Sequence, residues 1–259
     1  MIRPGLVSVT FRGLPAAEVT RLAVRAGLAG IEWGGDVHVP HGDERAATAV
    51  AEMTAGAGLA VAAYGSYYRL GHEADIDVPE FAAALASAAA LGAPTIRVWA
   101  GRYGSGSEQA ADTRYWDRVV DDSRRIAAAA AEAGMTISYE YHRNTLTDTN
   151  DTGRALLRAV DHPAVRTLWQ PYVPESAEYN AAGLVGVRPW LTNLHVFAWD
   201  ADRTRLPLAD KEKEWTGYLA GAATTGRDHW ALLEFVRDDD PEQMFADAQT
   251  LRRLLAGQP

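Results

Sequence analysis

The 259-residue sequence contains no cysteine. This excludes a disulfide framework, a thiolate metal site and a cysteine nucleophile, so any metal ion would have only oxygen and nitrogen ligands. No run approaches the roughly 18 consecutive apolar residues of a membrane span. The first residues, MIRPGLVSVTF, also lack the long apolar stretch of a secretory signal. We therefore expect no membrane partner and a cytoplasmic location.

Runs of basic residues are also missing. The formal net charge is −9, and arginines and acids are interspersed along the chain. Because nonspecific nucleic-acid binding requires a basic face, the sequence disfavours a nucleic-acid partner. Hydrophobic residues make up 47% of the chain and charged residues 23%, which is ordinary for a globular protein with a large core.

Interdomain linkers rich in proline, glycine or serine are absent, and a regular alternation is present instead. Amphipathic helical segments separate eight short β-rich runs: LVSVTF, GIEWG, AVAAYG, TIRVWAG, TISYEYH, RTLWQPY, NLHVFAW and ALLEFV. This rhythm predicts the α/β class and a single (β/α)8 TIM barrel, one domain over residues 1–259. A doubly wound sheet usually carries a glycine-rich phosphate loop after its first strand, and TFRGLPAAE contains none.

Two helix boundaries are clearly marked. The helix predicted over 113–133 ends before Gly134, a residue suited to a helix C-terminus. The last helix is predicted to begin with Asp240 as N-cap, Pro241 in its first position and Glu242 in its first turn.

Polar residues stand at the ends of the fifth to eighth predicted strands. They are Glu140, Gln170, His195 and Glu234, and each follows an apolar stretch. Buried polar groups are costly without a partner, and the carboxyl ends of barrel strands converge on one site. A shared divalent cation would satisfy all four side chains.

The order and strand placement of these residues, within a chain running from GIEWGGD to ALLEFVRDDDPEQ, resemble the xylose isomerase-like TIM-barrel superfamily. Its members include tagatose 3-epimerase-like enzymes, hydroxypyruvate isomerase, inosose dehydratase and endonuclease IV. The resemblance implies one divalent ion held by Glu140, His195 and Glu234, with Gln170 in place of an Asp. This substitution removes one negative charge, so we expect weaker metal affinity. A softer ion is then favoured over Mg²⁺, with Mn²⁺ first and Co²⁺ or Zn²⁺ possible.

The same resemblance implies a metal-dependent isomerase or epimerase. The expected reaction is proton transfer next to the carbonyl of a small, non-phosphorylated keto-sugar or polyol derivative, through an enediolate. Glu140 and Glu234 are the candidate catalytic pair, with His142, His41 and Glu32 as further candidate bases. A carbohydrate is the expected partner, and relatives are commonly homodimers or homotetramers.

Aromatic residues lie at or near six predicted strand ends, where their faces could stack on sugar rings or pack against helices. They are Phe11, Trp33, Tyr64, Trp99, Trp169 and Trp199. The predicted substrate contacts are Glu32, Trp33, His41, Tyr64, Trp99, His142, Trp199 and Arg203. Phosphorylated substrates are disfavoured, because no glycine-rich loop follows strands seven and eight.

Three alternatives remain open at this point. A keto-polyol dehydratase would share the first proton abstraction but would need a general acid near the leaving hydroxyl. A metal-free sugar-binding or accessory barrel would have Gln170 hydrogen-bonded to Glu140. An endonuclease IV-like DNA repair enzyme is the weakest, because it needs further His and Asp ligands and a less acidic chain.

Overall fold

Eight parallel strands close into a barrel in a computed structural model that describes residues 1–72, 80–173 and 175–258. The strands are β1 Ile2–Val7, β2 Gly30–Gly34, β3 Ala60–Arg69, β4 Thr95–Trp99, β5 Thr136–Tyr139, β6 Val165–Trp169, β7 Leu191–Val196 and β8 His229–Leu233. The helices are α1 Ala16–Arg25, α2 Glu44–Gly56, α3 Phe81–Leu91, α4 Thr113–Glu132, α5 Asn150–Val160, α6 Ala177–Val187, α7 Glu212–Ala223 and α8 Pro241–Ala256. The predicted α/β class and (β/α)8 barrel are confirmed.

The pleat of the strands separates two hydrophobic layers. Leu6 of β1 pairs in register with Ile31 of β2, and both belong to the large core between the barrel and its helices. The next residue of β1, Val7, pairs with Glu32 and belongs to a smaller cluster that also contains Trp230 and Leu232. Since successive side chains on a strand point to opposite faces, Val7 and Glu32 face the inside of the barrel.

Both marked helix boundaries are confirmed. Helix α4 ends at Glu132, and Gly134 has a φ of 73°, a left-handed conformation that glycine adopts at low cost. At the start of α8, the Asp240 side chain accepts a hydrogen bond from the Glu242 backbone N–H at 3.0 Å.

The position of the first strand was predicted wrongly. The run LVSVTF spans 6–11, but β1 is Ile2–Val7, and Ser8–Phe11 forms a 3-10 turn. Ser8 Oγ accepts a hydrogen bond from the Gly34 backbone N–H at 2.9 Å, which ties this turn to the end of β2. Phe11 is therefore buried in the core beyond the strand rather than standing at a strand end.

No helix within the described residues is both long enough and apolar enough to cross a bilayer.

Candidate active site

A cluster of ionisable side chains lies at the C-terminal end of the barrel. Glu32 belongs to β2, Arg97 to β4 and His195 to β7, while Glu140 and Glu234 directly follow β5 and β8. None of the five is more than 4% exposed. Charged side chains are rarely buried to this degree unless they are paired or bind a metal ion.

Arg97 connects two of the carboxylates. Its Nε donates to Glu32 Oε1 at 2.7 Å, and its Nη1 donates to Glu140 Oε2. Burial alone would lower the pKa of Arg97, but Glu140 and Glu32 outweigh it and raise that pKa. Burial would likewise raise the pKa of Glu140, yet Arg97 and then His142 lower it. Glu140 is thus held as a carboxylate by a permanent neighbouring cation.

Arg97 was not among the residues predicted from the sequence. A signal was present, because an arginine in the apolar run TIRVWA is the same kind of exception as Glu140 in TISYEY. Gly65 of β3 pairs with Arg97, and a Cβ at that glycine would lie 2.4 Å from Arg97 Nη2. The glycine therefore provides the space that the guanidinium occupies.

His195 lies between the other two carboxylates. Its Nε2 is 3.0 Å from Glu32 Oε2, and its Nδ1 is 3.3 Å from Glu234 Oε2. The Nδ1 contact falls outside hydrogen-bond geometry, so this buried atom has no hydrogen-bond partner in the described part of the chain. Burial alone would lower the pKa of His195, but Glu234 and Glu32 raise it to about 10. The cluster therefore attracts positive charge at the position of His195.

Three residues of the cluster fit a divalent cation. One ligand atom from each of Glu140, His195 and Glu234 lies within 4.8 Å of the others. With His195 protonated, the three carboxylates exceed Arg97 and His195 by one negative charge. A divalent ion in place of the His195 proton would bring the cluster to neutrality, as expected where ligands lose protons on binding. Glu32 would then hold the far nitrogen of His195, a common arrangement for metal-binding imidazoles.

Gln170 adds a further oxygen beside this cluster. Its Nε2 donates a hydrogen bond to the Tyr141 carbonyl oxygen at 2.6 Å. The metal-free alternative instead predicted a hydrogen bond between Gln170 and Glu140. Its Oε1 is buried and has no hydrogen-bond partner among the described residues. A buried amide oxygen without a donor is costly, and a cation would remove this cost. Gln170 lines the same cavity as Glu140 and Glu234, and its role as a fourth ligand stays a prediction.

A cavity of about 350 Å³ opens above the cluster. Four predicted substrate residues line it, namely Trp99, His142, Trp199 and Arg203. Trp99 donates its indole N–H to Glu140 Oε2, and its ring stacks on His142 with centroids 4.6 Å apart. Arg12, Tyr67, Tyr172 and Phe235 also line the cavity and were not predicted. The cavity combines aromatic faces with polar groups, as small-molecule sites do.

The remaining predicted substrate residues lie outside this cavity. Glu32 does not line the cavity and is fully buried against Arg97 and His195. Trp33 follows Glu32 on the strand and so faces outward, where its Nε1 donates to Thr54 of α2 at 3.1 Å.

Tyr64 and His41 share this outer position. The Tyr64 hydroxyl donates to the Val39 carbonyl at 2.9 Å, and His41 Nε2 is 2.6 Å from the Ser66 carbonyl oxygen. These two rings contact each other edge to face in the layer between barrel and helices. Trp169, also outside the cavity, packs against two aromatic rings of α7.

Backbone strain is present at the cavity rim. Tyr67, Arg203 and Phe235 all have positive φ angles, of 55°, 65° and 52°. Non-glycine residues in this region cost on the order of 1–3 kcal/mol and are often found at functional sites. Phe235 directly follows Glu234, so the strained backbone lies next to a candidate metal ligand.

The fold and most of the sequence match known proteins. A family model described as xylose isomerase-like TIM barrel matches residues 20–253. A comparison with curated proteins finds no match.

Several solved structures share the fold. A probable 3-DHS dehydratase from Bacillus anthracis is 21% identical with a TM-score of 0.76, covering 97% of this chain and 99% of that one. A D-psicose 3-epimerase from Clostridium cellulolyticum H10 is 15% identical with a TM-score of 0.76, covering 98% of each chain. A 3-keto-D-glucoside 4-epimerase from E. coli is 17% identical with a TM-score of 0.75, covering 99% and 100%. At these identities the likeness concerns the fold.

Proposed function

The chain belongs to the xylose isomerase-like TIM barrel family, and we propose that it is a metal-dependent sugar isomerase or epimerase. Its reaction would be proton transfer next to the carbonyl of a small, non-phosphorylated keto-sugar or polyol derivative. One observation carries the proposal: Glu140, His195 and Glu234 are buried together at the end of the barrel, with ligand atoms within 4.8 Å of one another. The solved epimerases of the same fold are consistent with it.

Glu140, His195 and Glu234 would hold the ion, with Gln170 Oε1 as a fourth ligand. Mn²⁺ is the proposed ion, since a ligand set containing a neutral imidazole and a carboxamide suits it better than Mg²⁺. When bound, the ion supplies Lewis-acid polarisation of a carbonyl oxygen. The aromatic walls at Trp99 and Trp199 would orient a sugar ring above the cluster.

Glu234 is the better candidate for proton removal. Within the cluster, its carboxylate contacts His195 Nδ1 at 3.3 Å without hydrogen-bond geometry. Glu140 Oε2, in contrast, accepts hydrogen bonds from both Arg97 and Trp99. Arg97 lowers the pKa of Glu140 and keeps it ionised, so Glu140 would have to take up a proton, from a substrate hydroxyl or from water, before returning one to the substrate carbon. Removal and return on opposite faces would invert the carbon.

A keto-polyol dehydratase is the second candidate, and His142 favours it. His142 lines the cavity, and its Nδ1 lies 2.7 Å from the Arg143 carbonyl oxygen, which leaves Nε2 for a substrate group. In its protonated form, this imidazole could donate the Nε2 proton to a leaving hydroxyl. Product mass separates the two reactions, because dehydration loses water and isomerisation does not.

The first test is metal content followed by proton exchange. Protein purified without chelator should contain about one transition metal ion per chain by elemental mass spectrometry. Glu234→Gln should lose the ion, Gln170→Asp should bind it roughly tenfold more tightly or better, and Glu52→Gln on exposed α2 should behave as wild type. Keto-sugars incubated in deuterated water should then exchange a carbon-bound proton. If the wild type contained no metal but the Gln170→Asp variant did, the result would contradict the proposal and favour the metal-free accessory barrel.

A further inference from the structure

A second cavity adjoins the candidate active site. It has a volume of about 190 Å³ and lies between the segments that follow β6 and β7 and the helices α6 and α7. Five residues line both cavities: Pro171, Tyr172, Val173, Phe197 and Trp199. These residues form a wall that the two spaces share.

The second cavity is too small to be an independent binding site. Small-molecule sites usually have volumes of about 300–1,000 Å³, and the main cavity reaches this range at about 350 Å³. A space of about 190 Å³ that shares a wall with it suits one additional part of a ligand whose reacting part occupies the main cavity.

The lining of the second cavity favours a neutral, hydroxylated group. The half-buried ring of Trp199 contributes aromatic surface, which suits the C–H face of a sugar, whereas Trp215 and Tyr218 are 1% and 5% exposed and mainly close the cavity. The charged lining consists of three carboxylates and one ammonium group, on Glu175, Asp200, Glu214 and Lys211, so an anion would be repelled. Carboxylates accept hydrogen bonds from hydroxyl groups. Lys211 Nζ lies 3.4 Å from Glu214 Oε1, which reduces the cationic character further.

The wall between the cavities holds an unused donor. Trp199 Nε1 is buried and makes no hydrogen bond within the residues that the structure describes. An indole N–H is a donor only and usually finds a partner when buried. A hydroxyl or ring oxygen of a ligand would provide one once the Trp199 side chain turns, because Nε1 is covered in this structure.

We propose that the second cavity is a subsite for a second sugar ring, so that the substrate is a keto-glycoside of two rings. The reacting ring would lie above Glu140 and Glu234, and the neutral ring would lie beyond Trp199. This inference rests on the proposed function, since it takes the main cavity as the place of the reacting ring.

The test compares one-ring and two-ring ligands on variants that fill only the second cavity. Ala177 and Ala201 line it, are exposed and do not line the main cavity. Binding of D-fructose and of its 3-, 4- and 6-linked glucosyl derivatives would be measured by calorimetry on the metal-loaded protein. At least one disaccharide should bind tenfold more tightly than fructose. Ala177→Trp and Ala201→Trp should each abolish this gain and leave fructose binding unchanged, whereas Ala177→Ser should keep it.

Two results would overturn the subsite. One is that no disaccharide binds more tightly than fructose, whether or not fructose itself binds. The other is that the preference persists in both tryptophan variants, with their folding verified by circular dichroism. Failure of the proposed function has a different signature, which is a disaccharide preference that Ala177→Trp removes but no proton exchange with any of the four sugars.

Discussion

Replacing Arg97 by methionine should strongly destabilise the metal-free protein. The guanidinium is 2% exposed and contacts two buried carboxylates, Glu32 at 2.7 Å and Glu140. Methionine keeps much of the aliphatic volume but leaves both carboxylates without this partner. Removing one member of a buried ion pair costs about 3–5 kcal/mol. That is a large part of the roughly 5–15 kcal/mol by which proteins are stable.

The assay is urea unfolding at pH 7 in the presence of chelator. With an m-value of about 3 kcal/mol/M, the midpoint of Arg97→Met should fall by about 1 M or more. Adding Glu32→Gln should recover part of the loss, because only one uncompensated carboxylate then remains near the former guanidinium. Arg45→Met on exposed α2 is the matched control. Two results would refute the reasoning. One is that Arg97→Met and Arg45→Met have the same urea midpoint. The other is that the destabilisation by Glu32→Gln alone adds in full to that by Arg97→Met in the double variant.

Three further predictions concern packing, metal affinity and pH. Gly65→Ala should lower the free energy of unfolding by about 1–3 kcal/mol, because the new Cβ would lie 2.4 Å from a buried guanidinium nitrogen. The control is Gly56→Ala in α2, whose Cβ would meet no atom within 4 Å and which should be stabilising. Equal urea midpoints for the two variants would contradict this prediction. Glu32→Gln should weaken metal binding about 10–100-fold in chelator competition, since it loosens the hold on His195, and unchanged affinity would argue against that role. Burial outweighs the hydrogen bonds to Asp247 and raises its pKa, so the wild type loses stability as pH rises from below 3.8 through the folded-state pKa. The unfolding free energy of Asp247→Asn minus that of the wild type should therefore increase between pH 3 and pH 7, and a flat difference would exclude the effect.

The metal-free and metal-bound states are expected to differ mainly in charge. Without an ion, the pKa of His195 near 10 places a proton between Glu32 and Glu234 at neutral pH. With an ion bound, that proton would leave, and Arg97 would remain as the cationic side chain of the cluster. Arg97 pairs with Glu32 and Glu140 in this structure and would keep this role when an ion is bound.

The sequence by itself determined the barrel and the candidate ligands. The alternation of strand and helix patterns determines the class of fold. The polar residues that interrupt apolar runs mark the strand ends, where Glu140, His195 and Glu234 come together. These signals are local, because each depends on residue type within a few positions. The same local reasoning could have included Arg97, whose strand is otherwise apolar.

Only the tertiary structure decided which face each strand residue presents and which partner it finds. Glu32 and Trp33 are adjacent, so only one can face the barrel interior. The pairing of β2 with β3 shifts register between Ile31 and Glu32, and no local pattern foretells that shift. Arg97 on β4 and Glu32 on β2 are 65 residues apart in sequence and meet inside the barrel across Gly65 of the intervening strand β3. Side-chain direction and long-range pairing depend on how strands align with each other, which residue types alone do not specify.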